Sequence, residues 1–114
     1  MQGTFLGKIE SIKFGVKDSR IGLFYTLTFN NCCGTQSSNA VWDPEQVEVT
    51  EGTKWTEDER DRELAQLMRY ISKLLSEAKV DDITKLAGKP VEITIDELNS
   101  LKSWRILTEG YYNG

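Results

Sequence analysis

One amphipathic helix, with strand-like segments on both sides of it, constrains this chain more than any other feature. Between residues 56 and 78, Leu64, Leu67, Met68, Ile71, Leu74, Leu75 and Ala78 recur at steps of three and one. That spacing gathers them on one face of a helix with 3.6 residues per turn and predicts that the stripe is buried. Thr56-Glu57-Asp58-Glu59 fits a capping box at its start: the Thr56 hydroxyl can accept from the Glu59 amide while the Glu59 carboxylate reaches back to Thr56. Glu57, Asp58 and Glu59 also set negative charge at the positive end of the helix dipole.

The flanking segments follow a period of two. The first strand is expected over residues 4–14, with Phe5 and Ile9 on one parity and Leu6, Ile12 and Phe14 on the other. A phase change near Glu10–Ser11 marks either a β-bulge or a short strand running into a loop. Residues 15–20 read as a turn from their Gly, Asp and Ser content. The second strand alternates most cleanly: Ile21, Leu23, Tyr25, Leu27 and Phe29 are expected in the core, and Phe24 on the opposite face.

Asn30 to Gly34 reads as a hairpin connection in which Gly34 could supply a positive φ. Thr35–Trp42 is polar, as suits an edge strand, and Asp43-Pro44 ends it. An acidic loop is expected over 43–55. Beyond the helix, residues 80–88 predict a short helical turn capped by Asp81 or Asp82 and stopped by Gly88. Val91, Ile93 and Ile95 predict strand four, Asp96–Ser100 a turn, and Leu101 to about Glu109 strand five, with Trp104 and Ile106 on one face.

Three strands, a helix and two strands are the element order of a small OB barrel. The chain is thus expected to form one α+β, mainly β domain over residues 1–114. It would be a five-stranded OB-like barrel, or a strongly curved sheet, with one long helix between strands three and four.

Charge and composition narrow the function classes. The net charge is −4, but nine acids against three bases leave −6 in residues 43–63, while residues 1–42 carry +2. Helix capping accounts for much of the acidic cluster; the rival reading is a surface that imitates nucleic acid or docks on a basic protein partner. Cys32 and Cys33 are adjacent and cannot staple distant segments, so reduced residues in or beside a turn are expected. With no histidine and two cysteines, a structural zinc site lacks ligands, and no metal or cofactor is expected. No catalytic or cofactor motif occurs, so the expectation is a non-enzymatic protein. No apolar run approaches a membrane span, and the N-terminus lacks a basic-then-apolar signal pattern, so a cytoplasmic location is expected.

The aromatic residues suggest a binding role. Proteins that read single strands stack bases on exposed rings beside Lys or Arg that track phosphates. Phe24, Trp42 and Trp104 fall on or near expected strands, with Lys17 and Arg20 in the first turn and Lys102 and Arg105 in the last strand. Trp42 and Trp104 are expected mainly as core. In an OB barrel the exposed surface of strands two and three, with the loops joining strands one–two and four–five, forms the ligand groove. The expected nucleic-acid-binding set is therefore Lys17, Arg20, Phe24, Lys102 and Arg105.

The run Asp82-Ile83-Thr84-Lys85-Leu86-Ala87-Gly88-Lys89-Pro90-Val91-Glu92-Ile93 leads from a short helical turn through Gly-Lys-Pro-Val into a strand. With the closing Leu101-Lys102-Ser103-Trp104-Arg105-Ile106-Leu107-Thr108-Glu109 and the element order, it resembles small OB-type single-stranded-DNA-binding proteins of phages and prophages. The resemblance implies a single-stranded nucleic-acid ligand and, for a phage-encoded chain, a place in the host cytoplasm. Such families often end in an acidic tail that recruits partners; this chain ends in Gly-Tyr-Tyr-Asn-Gly. Two other classes remain open. One is a small phage inhibitor of host defence, acting through the acidic region 43–63 or by trapping a nucleotide. The other is an assembly protein whose polar third strand pairs with another copy as a homo-oligomer.

Overall fold

The computed structural model describes residues 2–29, 33–47 and 56–107. Five strands, β1 (Gly3–Lys17), β2 (Arg20–Phe29), β3 (Cys33–Trp42), β4 (Pro90–Ile95) and β5 (Leu101–Ile106), form one antiparallel sheet in the order β3-β2-β1-β4-β5. Helix α1 (Glu57–Ala78) and a 3-10 turn (Ile83–Leu86) stand between β3 and β4 in the chain. The domain is mainly β with one long helix, as its patterning predicts.

Strand β1 organises the sheet because its two halves serve different partners. Gly3 to Lys8 pair with β4, and Gly7 to Lys17 pair with β2. The register shifts between Ile9 and Ser11, where the hydrophobic phase changes. Phe5 and Ile9 face inward before this bulge, and Ile12 faces inward after it. An extra residue bends a strand, so the bulge folds one half of β1 toward the other.

The consequence is visible at Tyr25 and Trp104. They stand on β2 and β5, with two strands between them in the sheet, so a flat sheet would hold their strands ~14 Å apart. Their rings instead meet edge to face with centroids 5.2 Å apart. The sheet is strongly curled. It does not close into a barrel, however: among the described residues no backbone ladder joins β3 to β5. Side chains and the helix span the opening instead. Trp104 Nε1 donates to the Tyr25 hydroxyl at 2.9 Å, that hydroxyl donates to Asn39 Oδ1 on β3 at 2.5 Å, and α1 packs against both edge strands.

The core lies between the concave sheet face and α1. Ile9, Leu23, Leu27, Leu86, Val91 and Ile93 are fully buried, and Leu67, Ile71 and Leu74 close it from the helix side. The expected stripe needs two corrections, the first at Leu64, which is half-buried and stands outside the core cluster. Met68 is 59% exposed, while Tyr70 packs against the core. Successive helical residues turn by ~100°, and the face centred on Leu67, Ile71 and Leu74 leaves Met68 on its rim. Burial, with the Tyr25 hydroxyl and Glu77 nearby, pushes the Tyr70 phenol well above its ordinary pKa.

The helix starts as the capping box predicts. Thr56 Oγ1 accepts from the Glu59 amide at 3.2 Å, and Glu59 Oε2 accepts from the Thr56 amide at 3.4 Å. Lys79 ends it in a left-handed conformation. Asp82 caps the 3-10 turn, accepting from the Thr84 hydroxyl at 2.7 Å and its amide at 2.8 Å; these bonds hold its carboxyl below the ordinary carboxylate range.

Two turn expectations change. The β1–β2 turn contains only Asp18 and Ser19, both at positive φ, while Gly15 lies inside β1. Positive φ at both central residues is the type I′ geometry that matches strand twist, and Asp tolerates it better than most residues. Gly34 belongs to β3 and has no positive φ. The expectations for Asn30–Cys32, for residues 48–55 and for Thr108–Gly114 lie outside the described residues, as does the side chain of Cys33.

Candidate nucleic-acid interface

Alternation along β2 turns Arg20, Phe24 and Thr26 away from the core. The register with β1 and β3 then builds rows of side chains across the outer sheet face. Lys17, Arg20 and Trp42 stand opposite one another at the hairpin end. Gly15, Gly22 and Ala40 follow, then Lys13, Phe24 and Ser38, then Ser11, Thr26 and Gln36. The glycine row carries no side chain longer than a methyl group. At Gly22 the reason is packing: with φ at +156°, a Cβ would meet the Asn39 carbonyl oxygen at 2.3 Å.

These rows line a groove of about 420 Å³ with Phe24 half-buried in its wall. Lys13, Lys17 and Arg20 bring three positive charges to it and Asp18 one negative. Ser11, Thr26, Gln36 and Ser38 supply hydroxyl and amide groups. Among the described residues neither Lys13 nor Lys17 enters an ion pair. Arg20 is positioned rather than free to sweep. Its guanidinium lies 5.5 Å from the centroid of the Trp42 ring, and Nη2 donates to the Ala40 carbonyl at 3.5 Å. Such an arrangement offers an aromatic surface, cations and neutral hydrogen-bonding groups on one face. Such groups can hold a ligand by stacking, charge attraction and hydrogen bonding.

Of the five expected binding residues, the structure brings three together. Lys17, Arg20 and Phe24 share this groove. Lys102 and Arg105 stand on β5, at the far edge of the sheet, and Arg105 pairs with Glu92 at 3.1 Å. The β4–β5 turn adjoins the Gly3 end of β1 and the β1–β2 turn its Lys17 end, ~45 Å apart along an extended strand. Sequence reasoning missed Lys13. The signal was present: once the phase changes at Glu10, Lys13 shares the outward parity of Lys17.

Trp104 is part of the core, as expected, but Trp42 is not. It lies 46% exposed on the outer face of the last strand of the sheet, where no neighbouring strand covers it. The acidic region is partly structural. Asp43 is buried, its amide donates to the Ser19 carbonyl at 3.0 Å, and its Oδ1 accepts from the Glu45 amide at 3.1 Å. Glu57, Asp58 and Glu59 occupy the first helical turn.

Among the described residues no cluster of three or more His, Cys, Asp or Glu could hold a metal ion, and no helix is long and apolar enough to cross a membrane. No protein-family model, curated protein or solved structure matches the chain.

Proposed function

We propose that this protein binds single-stranded nucleic acid, without catalysis, on the outer face of β1, β2 and β3. The observation that carries the reading is the row Lys13–Phe24–Ser38 on the same face as the row Lys17–Arg20–Trp42, with only the side-chain-poor row Gly15–Gly22–Ala40 between them. Base stacking on an aromatic ring contributes ~1–3 kcal/mol per base and is tolerant of sequence, so Phe24 serves as the platform. Lys13, Lys17 and Arg20 take the phosphates. The hydroxyl and amide groups of Thr26, Gln36 and Ser38 meet base edges or sugars. Strands two and three form the ligand surface in OB-type barrels, which favours the same face here. Lys102 and Arg105 are left out of this interface because they stand at the far edge of the sheet.

The overall charge of −4 keeps the affinity modest and confines it to this local basic face. A fluorescence-anisotropy titration with labelled oligothymidylate at low salt tests the reading. Binding that weakens steeply as salt rises, and weakens further in Phe24→Ala with the fold intact, supports it. Absence of binding at low salt, with activity in the cell lost on reversing the charges of Glu57, Asp58 and Asp61, would move the function to the acidic surface.

A further inference from the structure

The two edges of the sheet are treated differently by the sequence. Strand β5 carries Lys102 and Arg105, and its pairing with β4 shifts register at Thr94/Ile95, leaving Lys102 as the extra residue. Charge and a bulge are the devices that keep an edge strand from pairing with another chain. Strand β3 has neither. Its ten residues, Cys33 to Trp42, contain no charged side chain and no proline, and they pair with β2 without a register shift. Helix α1 lies beside the second half of β3, where Glu63, Gln66, Leu67 and Tyr70 face Ser38 to Val41 across a cleft. Among the described residues the open stretch of edge is therefore the first half of the strand.

We propose that this open edge pairs with the β3 of a second copy of the same chain. The pairing is antiparallel, about a two-fold axis at Gln36. A symmetric partner needs a strand that complements itself, and this one does. Centring on Gln36 sets Gln36 opposite its own copy and Thr35 opposite Ser37, with Gly34 opposite Ser38 at the limit of the open stretch, where α1 begins to flank the strand. Amide–amide and Thr–Ser pairs are favourable cross-strand neighbours, and no like charges oppose each other anywhere along the strand. The backbone amides and carbonyls of the open edge gain partners in the same step.

The geometry bears on the groove as well. A two-fold axis perpendicular to the sheet keeps the outer faces of both copies on the same side. Gln36 and Ser38 line the groove, so the grooves of the two copies meet across the axis in one continuous surface. That consequence rests on the function proposed above; the dimer itself does not.

The test is sedimentation equilibrium of the full-length protein without nucleic acid, for wild type, Gln36→Lys and Gln36→Glu. Gln36 is exposed, so neither variant disturbs the core, and circular dichroism verifies the fold. Wild type is expected as a dimer. Each variant places like charges across the axis and is expected as a monomer, with association weakened at least ~10-fold, the equivalent of ~1.4 kcal/mol. An equimolar mixture of the two variants is expected to return to the dimer, because the charges then attract. A monomeric wild type, or a dimer indifferent to both substitutions, overturns the proposal. Because no oligonucleotide is present, the outcome is independent of whether the groove binds one.

Discussion

Trp104 on β5 donates its indole N–H to the hydroxyl of Tyr25 on β2 at 2.9 Å, joining two strands that the sheet order keeps apart. The same hydroxyl donates to Asn39 on β3, so three strands converge on one phenol oxygen. Removing that oxygen leaves a partly buried indole N–H and amide oxygen to find other partners. Tyr25→Phe is expected to lower stability by about 1–3 kcal/mol, measured by chemical denaturation. Trp104→Phe should then cost less in the Tyr25→Phe background than alone. Strict additivity would show that the two residues do not act as a unit.

The helix face offers a contrast between neighbours. Leu74 is 4% exposed and Met68 is 59% exposed, although both belong to the stripe of apolar residues. Leu74→Ala is expected to cost ~2–5 kcal/mol through lost burial and an unfilled cavity. Met68→Ala should stay within about 0.5 kcal/mol of wild type. Equal costs at the two positions would mean that a different helix face meets the sheet.

The first turn of α1 is held by reciprocal bonds between Thr56 and Glu59. Thr56→Ala is expected to reduce stability by about 0.5–2 kcal/mol, and Thr56→Asp, which restores an acceptor, to recover most of it. Thermal melts of the two variants provide the comparison.

Tyr70 predicts how stability responds to alkali. Its phenol keeps its proton in the folded state beyond the pH at which the unfolded chain gives it up, at about 10. Between those two values the unfolded state binds fewer protons than the folded state, so stability falls as pH rises above about 10. Tyr70→Phe removes that contribution. A flatter decline for the variant in denaturation measured from pH 9 upward is the expected result; an unchanged slope would assign the alkaline loss to other groups.

What could be read from the sequence followed local periodicity. The α1 boundaries, its cap at Thr56, the bulge near Glu10 and the inward faces of β2 and β4 are each encoded within a few residues. The misreadings arose where tertiary packing decides. Met68 depends on where the sheet lies against the helix, and Trp42 on β3 having an uncovered outer face. Closure of the barrel depends on β3 and β5, whose partners are distant in sequence. There the chain joins its edges through Tyr25, Asn39 and Trp104 and through α1, none of which a period of two or 3.6 reveals. The site was half legible for the same reason. Lys17, Arg20 and Phe24 lie within one hairpin and come together, whereas Lys102 and Arg105 require the whole sheet to be known.

The central claim is that the outer face of β1, β2 and β3 is the ligand surface. Mapping backbone amide chemical shifts during titration with unlabelled oligothymidylate addresses it residue by residue. The account predicts saturating shifts clustered at Lys13, Lys17, Arg20, Phe24, Gln36 and Ser38, with Glu57 to Asp61 and Lys102 unmoved. Shifts confined to the first turn of α1 or to β5, or none at concentrations where anisotropy reports binding, would contradict it.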